Sequence, residues 1–343
     1  MKGLIVTQEK ELMLVDDIPM PQINEYEALV KMNCCMVCNG TDLDIIDGGV
    51  REACNYPLVL GHESVGRIID LGSKVTSYKL GDLVLRPSLK DTDKYFSAWG
   101  GFSEFATVID YDAAVRDKVD IEYKEMGITQ QVVPDGITAP QASLMITLKE
   151  TYSIFKSLNV QNRKRMLILG DGPVGMCLLI SAKLQGMQEV IMLGNHVGNL
   201  EIAKSLGASQ VFLNKDISER KNALSYYHRK IGVVLDTIGN NDTITQCLDY
   251  LGNESILAIY GLKTEDNISF PAPELRNYSI RFVQWPNPVE ERKAHDPIVK
   301  ALLEGKIDTK MLITHSFPIE RYQEGFDAIR ERKALKVLLQ FDM

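Results

Sequence analysis

Three residues of types that bind metal ions lie in the first fifth of the chain. Cys38 follows a run of apolar residues, and the adjacent pair His62-Glu63 comes 24 residues later. A thiolate, an imidazole and a carboxylate are the groups from which proteins build zinc sites. Their order therefore indicates a metal site, or the outline of one from which the metal has been lost.

A second motif of chemical interest is the glycine-rich sequence GDGPVG at 170–175. It directly follows the strand-like segment RMLIL and opens the helix-like segment PVGMCLLISAKLQ. In this context the glycines allow a tight turn, a close approach to a pyrophosphate and close packing of helix on strand. We therefore predict dinucleotide-binding residues at Gly170, Gly172, Pro173, Val174 and Gly175. The alternative is a glycine-rich turn that binds nothing.

The end of the next strand bears on which nicotinamide cofactor is bound. NAD sites usually place an Asp or Glu there, about twenty residues after the loop, against the ribose hydroxyls. Here the strand EVIML ends in Gly194, Asn195 and His196, and no acid occurs from Val190 to Leu200. Nothing in that segment repels a 2′-phosphate, and Asn195 and His196 can donate hydrogen bonds to one. The sequence therefore favours NADP(H) over NAD(H), with Gly194, Asn195 and His196 at the cofactor.

Composition and charge exclude several classes of protein. The chain has 343 residues with a net charge of −8 and no block of Lys or Arg, which argues against nucleic acid and anionic membranes as partners. No secretory signal or span-length apolar run is visible, and six cysteines without a disulfide-like spacing indicate reduced thiols. We expect a cytoplasmic protein that acts on a small molecule.

The order of elements predicts two domains, as the length also does. The first 150 or so residues contain short β-rich segments separated by turn signals, typical of a small antiparallel barrel or sandwich. After Pro140 strands and helices alternate, which indicates a parallel sheet covered by helices on both faces. A helix from about Arg321 to Lys333 and a strand from Leu335 to Phe341 are expected to end the chain.

At this point the chain resembles the medium-chain dehydrogenase/reductase family, the zinc alcohol and polyol dehydrogenases. The resemblance covers nearly the whole length and is carried by the segments GHESVGRIIDLG, GDLV, GGFSEFATV, LILGDGPVGMCLLISAKLQG and ALKVLLQF. It implies an α/β protein with a β-rich part: a GroES-like catalytic domain at 1–145 and 290–343, and a doubly wound Rossmann domain at 146–289. It also implies hydride transfer between an alcohol and a nicotinamide, and a homodimer or homotetramer.

The resemblance assigns roles to particular residues. Cys38, His62 and Glu63 correspond to metal ligands and catalytic residues, and Thr41 corresponds to the hydroxyl that relays the departing proton. Lys336 matches a basic residue near the cofactor diphosphate. The family motif has one residue fewer than CNGTD, so counting back from Thr41 places Asn39, instead of Cys38, at the first ligand; Cys38 is favoured because a thiolate binds zinc better than an amide does.

Two departures from the family bear on metal content. The count back from Gly170 to the usual third ligand reaches Ile146, which cannot bind a metal. The lobe that holds a structural zinc in many relatives has no cysteine here, so no structural zinc is expected. We therefore predict one catalytic zinc and an alcohol, polyol or sugar-type substrate. The alternatives are a zinc-free, NADPH-dependent reductase of activated carbonyls or enones, and a nucleotide-binding protein without turnover.

Overall fold

The computed structural model of the protein describes residues 1–48, 55–121, 124–261, 267–270 and 276–341. Cys54 lies outside these residues. Within them, no helix is both long and apolar enough to cross a membrane. The chain divides into two compact units, one of Met1–Thr147 with His295–Met343 and one of Leu148–Ala294.

The strands, in chain order, are β1 Gly3–Val6, β2 Leu12–Val15, β3 Glu27–Met36, β4 Leu58–Val59, β5 Glu63–Leu71, β6 Leu83–Leu85, β7 Phe96–Ser97, β8 Phe105–Ile109, β9 Val132–Val133, β10 Arg165–Leu169, β11 Glu189–Gly194, β12 Gln210–Leu213, β13 Ile231–Asp236, β14 Leu251–Ile259, β15 Tyr278–Phe282, β16 Ile313–Pro318 and β17 Lys336–Gln340. The α-helices are α1 Thr41–Ile46, α2 Tyr111–Arg116, α3 Ala139–Ser153, α4 Phe155–Leu158, α5 Pro173–Leu184, α6 Val197–Ser205, α7 Ile217–Tyr227, α8 Asn241–Leu248, α9 Pro288–Lys293, α10 His295–Leu303 and α11 Tyr322–Arg330.

The first unit is built on two sheets. One has the order β2-β1-β4-β7, and the other has the order β16-β17-β3-β5-β6-β9, with β8 also paired to β3. Long β3 pairs with β5 along most of its length, and on its other edge with β8 and then β17. Apolar side chains of β3, β6 and α11 share one core. Most pairs are antiparallel as predicted, but β4 with β7 and β16 with β17 are parallel.

The second unit is a parallel sheet of order β12-β11-β10-β13-β14-β15, in which every neighbouring pair is parallel. The order reverses at β10, so the chain leaves the sheet on opposite sides after β10 and β13. Ligands of such doubly wound sheets bind outside the carboxyl ends of the strands at this switch point. The predicted α/β class with a β-rich part is confirmed.

Asp110 holds the end of β8 to the start of α2 and to a neighbouring turn. Its buried carboxylate accepts hydrogen bonds from the backbone N–H groups of Thr76 (2.7 Å), Ser77 (2.8 Å) and Ala113 (2.9 Å). Burial alone raises the pKa of Asp110, but these hydrogen bonds outweigh it and hold the pKa below its ordinary value. The ionised carboxylate is therefore stabilised by folding.

Replacing Asp110 with Ala is expected to lower the free energy of unfolding by about 2–4 kcal/mol, because several buried N–H groups lose their acceptor. The contribution is present above the unfolded carboxyl pKa of about 3.9 and is lost as the pH falls through the lower folded value. Urea unfolding at pH 7 measures the loss. The exposed Asp93→Ala is the control and should change the free energy by less than about 0.5 kcal/mol; equal effects would contradict the role of Asp110.

Candidate metal centre and dinucleotide site

Cys38 lies in the short connection between β3 and α1, and Asp42 fixes the backbone there. The Cys38 N–H donates to the Asp42 carboxylate at 2.8 Å, and the Asp42 N–H donates back to the Cys38 carbonyl at 3.2 Å. The side-chain amide of Asn39 donates to the Leu335 carbonyl at 3.2 Å. The structure thus brings Cys38, and not Asn39, to the other predicted ligands.

Strand register brings His62 and Glu63 to the same place. Glu63 is the first residue of β5 and pairs with Met36 of β3, and Met36 comes two residues before Cys38. His62 directly precedes Glu63. One ligand atom from each of Cys38, His62 and Glu63 lies within 4.8 Å of the others. The His62 ring packs against Trp99 with ring centroids 4.9 Å apart, and His62 is 8% exposed.

Asp42 also faces the imidazole. Its Oδ1 lies 3.8 Å from His62 Nδ1, and both atoms are buried with no hydrogen-bond partner among the described residues. Burial raises the pKa of Asp42 to about 7, and nearby Cys38 and Glu63 add to the effect while His62 opposes it. A carboxylate behind the Nδ1 of a metal-binding histidine is the arrangement that orients such ligands.

Glu63 is paired with Lys336 in the protein interior. The Lys336 ammonium contacts both carboxylate oxygens of Glu63, and both side chains are 2% exposed. Lys336 Nζ also lies 3.5 Å from the Val37 carbonyl, while the Ser143 hydroxyl donates to the Glu63 carbonyl at 2.6 Å. Lys336 therefore forms an ion pair with a predicted metal ligand, because β17 places it next to the start of β5. Its predicted place near the cofactor diphosphate stays a prediction.

The thiol of Cys38 responds to these neighbours. Burial and then the negative charge of Glu63 raise its pKa, while the charge of Lys336 and hydrogen bonds with Thr41 lower it, and the net shift is upward. Thr41 begins α1 and lies half-buried beside Cys38. Because a thiolate is the form that binds metal, zinc binding must release a proton here. Ile146, at the count for a third ligand, is fully buried and apolar.

The glycine loop of the second unit has the backbone that a dinucleotide requires. Gly170 follows β10 with φ +119°, and its N–H donates to the Leu193 carbonyl at 2.8 Å. Gly172 has open space where a side chain would lie, and Pro173 begins α5. A Cβ at Gly175 would lie 2.1 Å from the Gly170 carbonyl oxygen, so the loop and α5 pack too closely for any side chain. Val174 is half-buried in the first turn of α5.

The segment after β11 contacts an acid that the sequence analysis did not assign. Asp171, inside the glycine loop, accepts a hydrogen bond from the His196 N–H at 2.7 Å and lies 3.1 Å from His196 Nδ1. Asn195 comes directly after Gly194, the last residue of β11. The signal that could have found Asp171 is an acid within the glycine motif, combined with a glycine where the acid after β11 is usual.

The comparisons with known proteins agree with this architecture. The family described as "Alcohol dehydrogenase GroES-like domain" matches residues 24–117, and that described as "Zinc-binding dehydrogenase" matches residues 173–299. D-arabinitol dehydrogenase 1 of Uromyces fabae is 24% identical, covering 93% of this chain and 91% of the relative. L-threonine 3-dehydrogenase of Chelativorans sp. (strain BNC1) is 25% identical, covering 99% of each.

Among solved structures, galactitol-1-phosphate dehydrogenase from Escherichia coli superposes with a TM-score of 0.80 at 22% identity, covering 99% of this chain and 100% of that one. The two units therefore have the fold of the zinc-dependent dehydrogenases. The chain belongs to the medium-chain, zinc-type alcohol dehydrogenase family and is an oxidoreductase.

Protein purified without chelator or a metal-affinity tag is expected to contain about one zinc per chain by elemental analysis, and Cys38→Ala is expected to lose it. Zinc affinity should fall as the pH falls, because the thiol takes up its proton again. The control is Cys34→Ala, since burial raises the pKa of that thiol to about 12 and it stays protonated. Near-zero zinc in native protein and both variants would exclude this site.

Lys336→Met is expected to destabilise the metal-free protein by about 3–5 kcal/mol, because the buried Glu63 carboxylate loses its partner. Urea unfolding of chelator-treated protein measures the change. Lys333→Met removes an exposed lysine paired with Glu331 and should cost less than about 0.5 kcal/mol. If Glu63→Gln added to Lys336→Met restored no stability, the pairing would not be the cause.

Proposed function

We propose that the chain oxidises a secondary hydroxyl of a small polyol or sugar-type alcohol and passes the hydride to a nicotinamide dinucleotide, with help from one zinc ion. The reverse reaction reduces the corresponding ketone. The observation that carries the proposal is the convergence of a thiol, an imidazole and a carboxylate within 4.8 Å of one another. Residues 1–145 with 290–343 are the proposed catalytic domain, and residues 146–289 the proposed nucleotide domain.

The residues present fit a zinc ion. Cys38, His62 and Glu63 supply the S, N and O donors that zinc prefers, and Asp42 lies behind the His62 ring with an unpaired buried oxygen. Bound zinc would supply a Lewis acid that polarises the substrate oxygen. Lys336 balances one of the two negative charges that Cys38 and Glu63 bring once the thiol is ionised.

Thr41 is the proposed proton relay. Oxidation of an alcohol releases a hydride from carbon and a proton from oxygen, and the proton needs a hydroxyl nearby to receive it. Thr41 lies beside Cys38 at the start of α1, half-buried, so its hydroxyl is next to the thiol and still reachable. We place the pyrophosphate-binding site at Gly172, beside which there is open space, and at the first turn of α5. Backbone N–H groups there can donate hydrogen bonds to the pyrophosphate.

The choice of a polyol rests on relatives and on the missing structural lobe. D-arabinitol dehydrogenase 1 and galactitol-1-phosphate dehydrogenase are both named for polyol substrates, and L-threonine 3-dehydrogenase also acts at a secondary hydroxyl. A cytoplasmic homodimer or homotetramer remains part of the proposal. The NADP(H) preference inferred from the segment after β11 stays a prediction.

One observation favours a second candidate, a zinc-free reductase of activated carbonyls. Lys336 neutralises Glu63, which leaves Cys38 and His62 as the ligands not engaged by a cation. In that case Thr41 and His62 would donate hydrogen bonds to the carbonyl oxygen. The two candidates differ in their need for metal.

The test is turnover with D-arabinitol, sorbitol and L-threonine, using NAD⁺ or NADP⁺, on native, chelator-stripped and zinc-restored protein. We expect activity that falls at least about 100-fold on stripping and returns with zinc. Thr41→Val should lower kcat about 100-fold with zinc content unchanged, whereas Thr41→Ser should retain most activity. Turnover of enones or activated ketones at the same rate with and without zinc would favour the second candidate. Dinucleotide binding without any turnover would contradict both candidates.

A further inference from the structure

The Asp171 carboxylate occupies the space at the end of β11 where another side chain would begin. A Cβ at position 194 would lie 2.4 Å from Asp171 Cβ, 2.6 Å from its Cγ and 2.7 Å from its Oδ2. No real Cβ contacts other atoms at such distances. Gly194 and Asp171 are therefore coupled: the carboxylate can sit there only because residue 194 has no side chain.

This position is the one from which Rossmann proteins recognise the adenosine ribose. The last residue of the second strand usually carries an Asp or Glu that accepts hydrogen bonds from the ribose hydroxyls. In this chain the strand is β11 and its last residue is Gly194. A carboxylate is still present at the site, but it is delivered from the glycine loop instead of from the strand.

Contacts to α6 hold Asp171 in place. Its Oδ2 accepts from the His196 N–H at 2.7 Å, and the two carboxylate oxygens lie 3.2 and 3.1 Å from His196 Nδ1. The Asn199 side chain donates to the Asp171 carbonyl at 2.9 Å. The Asp171 side chain is 8% exposed and that of His196 is 39% exposed. A carboxylate has about four lone-pair sites, so these contacts leave capacity for a ligand hydroxyl.

We infer that Asp171 is the acid that accepts the adenosine ribose hydroxyls, and that the chain therefore prefers NAD(H) to NADP(H). The inference rests on the proposed dinucleotide binding. A 2′-phosphate would place two negative charges beside a fixed, largely buried carboxylate, and would also remove the 2′-hydroxyl that can donate to it. This opposes the NADP(H) preference predicted from the sequence. That prediction rested on the lack of an acid from Val190 to Leu200, whereas the acid comes from the loop after β10.

The competing arrangement makes Asp171 a support for a phosphate site. There Asp171 would hold His196 so that His196, Asn195 and the exposed Lys215 meet a 2′-phosphate. Lys215 comes two residues after Leu213, which pairs with Gly194 in the sheet. The two arrangements predict opposite preferences. They also differ on Lys215, because only the competing arrangement predicts that removing it weakens NADP⁺ binding.

The experiment is isothermal titration calorimetry of the zinc-loaded, full-length protein with NAD⁺ and with NADP⁺, which measures binding apart from turnover. We expect native protein to bind NAD⁺ at least about 10-fold more tightly than NADP⁺. Asp171→Ala should weaken NAD⁺ binding about 10-fold and reduce the preference for NAD⁺ by about 10–100-fold. Lys215→Ala should leave NAD⁺ binding unchanged.

Two further variants separate charge from folding. Asp171→Asn keeps an oxygen that can accept from the His196 N–H but removes the charge, so it should reduce the preference even if Asp171→Ala folds poorly. Glu201→Gln removes an exposed negative charge from α6 and should leave the ratio unchanged. Circular dichroism and thermal unfolding check that each variant is folded.

Each remaining outcome is informative. Equal or tighter binding of NADP⁺ by native protein, or NADP⁺ binding that Lys215→Ala weakens about 10-fold, would overturn the inference. Equal weakening of both nucleotides by Asp171→Asn would assign Asp171 a purely structural role and would also overturn it. Native protein that binds neither nucleotide would instead contradict the proposed function.

Discussion

The pairing of β3 with β5 and with β17 is the constraint on which the candidate metal centre depends. Met36 lies opposite Glu63 on one side and Leu338 on the other, so the ends of three strands meet at one place. Cys38, Glu63 and Lys336 come from these ends. A slip of one residue in the register of a strand moves each of its side chains to the other face of the sheet. A shift in either pair would therefore separate the three groups.

The centre concentrates charge where water is scarce. Glu63 and Lys336 are nearly inaccessible, Asp42 is fully buried, and the Cys38 thiol has a raised pKa. Such charges are stabilised only when each has a partner, and the ion pair provides one for Glu63. The cost of gathering Cys38, Asp42 and Glu63 around one imidazole is understandable if a cation is bound there. Without a cation, Asp42 and Cys38 are costly to ionise, as the raised pKa values of both groups show.

The dinucleotide unit uses its backbone for the part of the ligand that all nicotinamide cofactors share. Gly170, Gly172 and Gly175 allow a tight turn, an open approach and close helix packing, none of which depends on a particular side chain. Discrimination between NAD(H) and NADP(H) must therefore come from side chains next to the glycine loop. There the glycine loop supplies the carboxylate of Asp171, and Gly194 at the end of β11 leaves the space for it. One strand residue usually supplies that carboxylate, so cofactor preference cannot be read from position 194 alone.

The sequence by itself determined the fold class, the order of elements and the two motifs. Alternating strands and helices with a glycine loop between the first strand and helix leave few arrangements other than a parallel doubly wound sheet. Cys38, His62 and Glu63 could be selected because their chemistry is unusual at that spacing. The tertiary structure alone decided that Asn39 turns away to Leu335 and that Lys336 reaches Glu63, since the two partners of that pair are 273 residues apart in the chain. It also decided that Asp171 fills the space beside Gly194, because that contact joins the loop after β10 to the end of β11, and these lie close through strand pairing and not through local sequence.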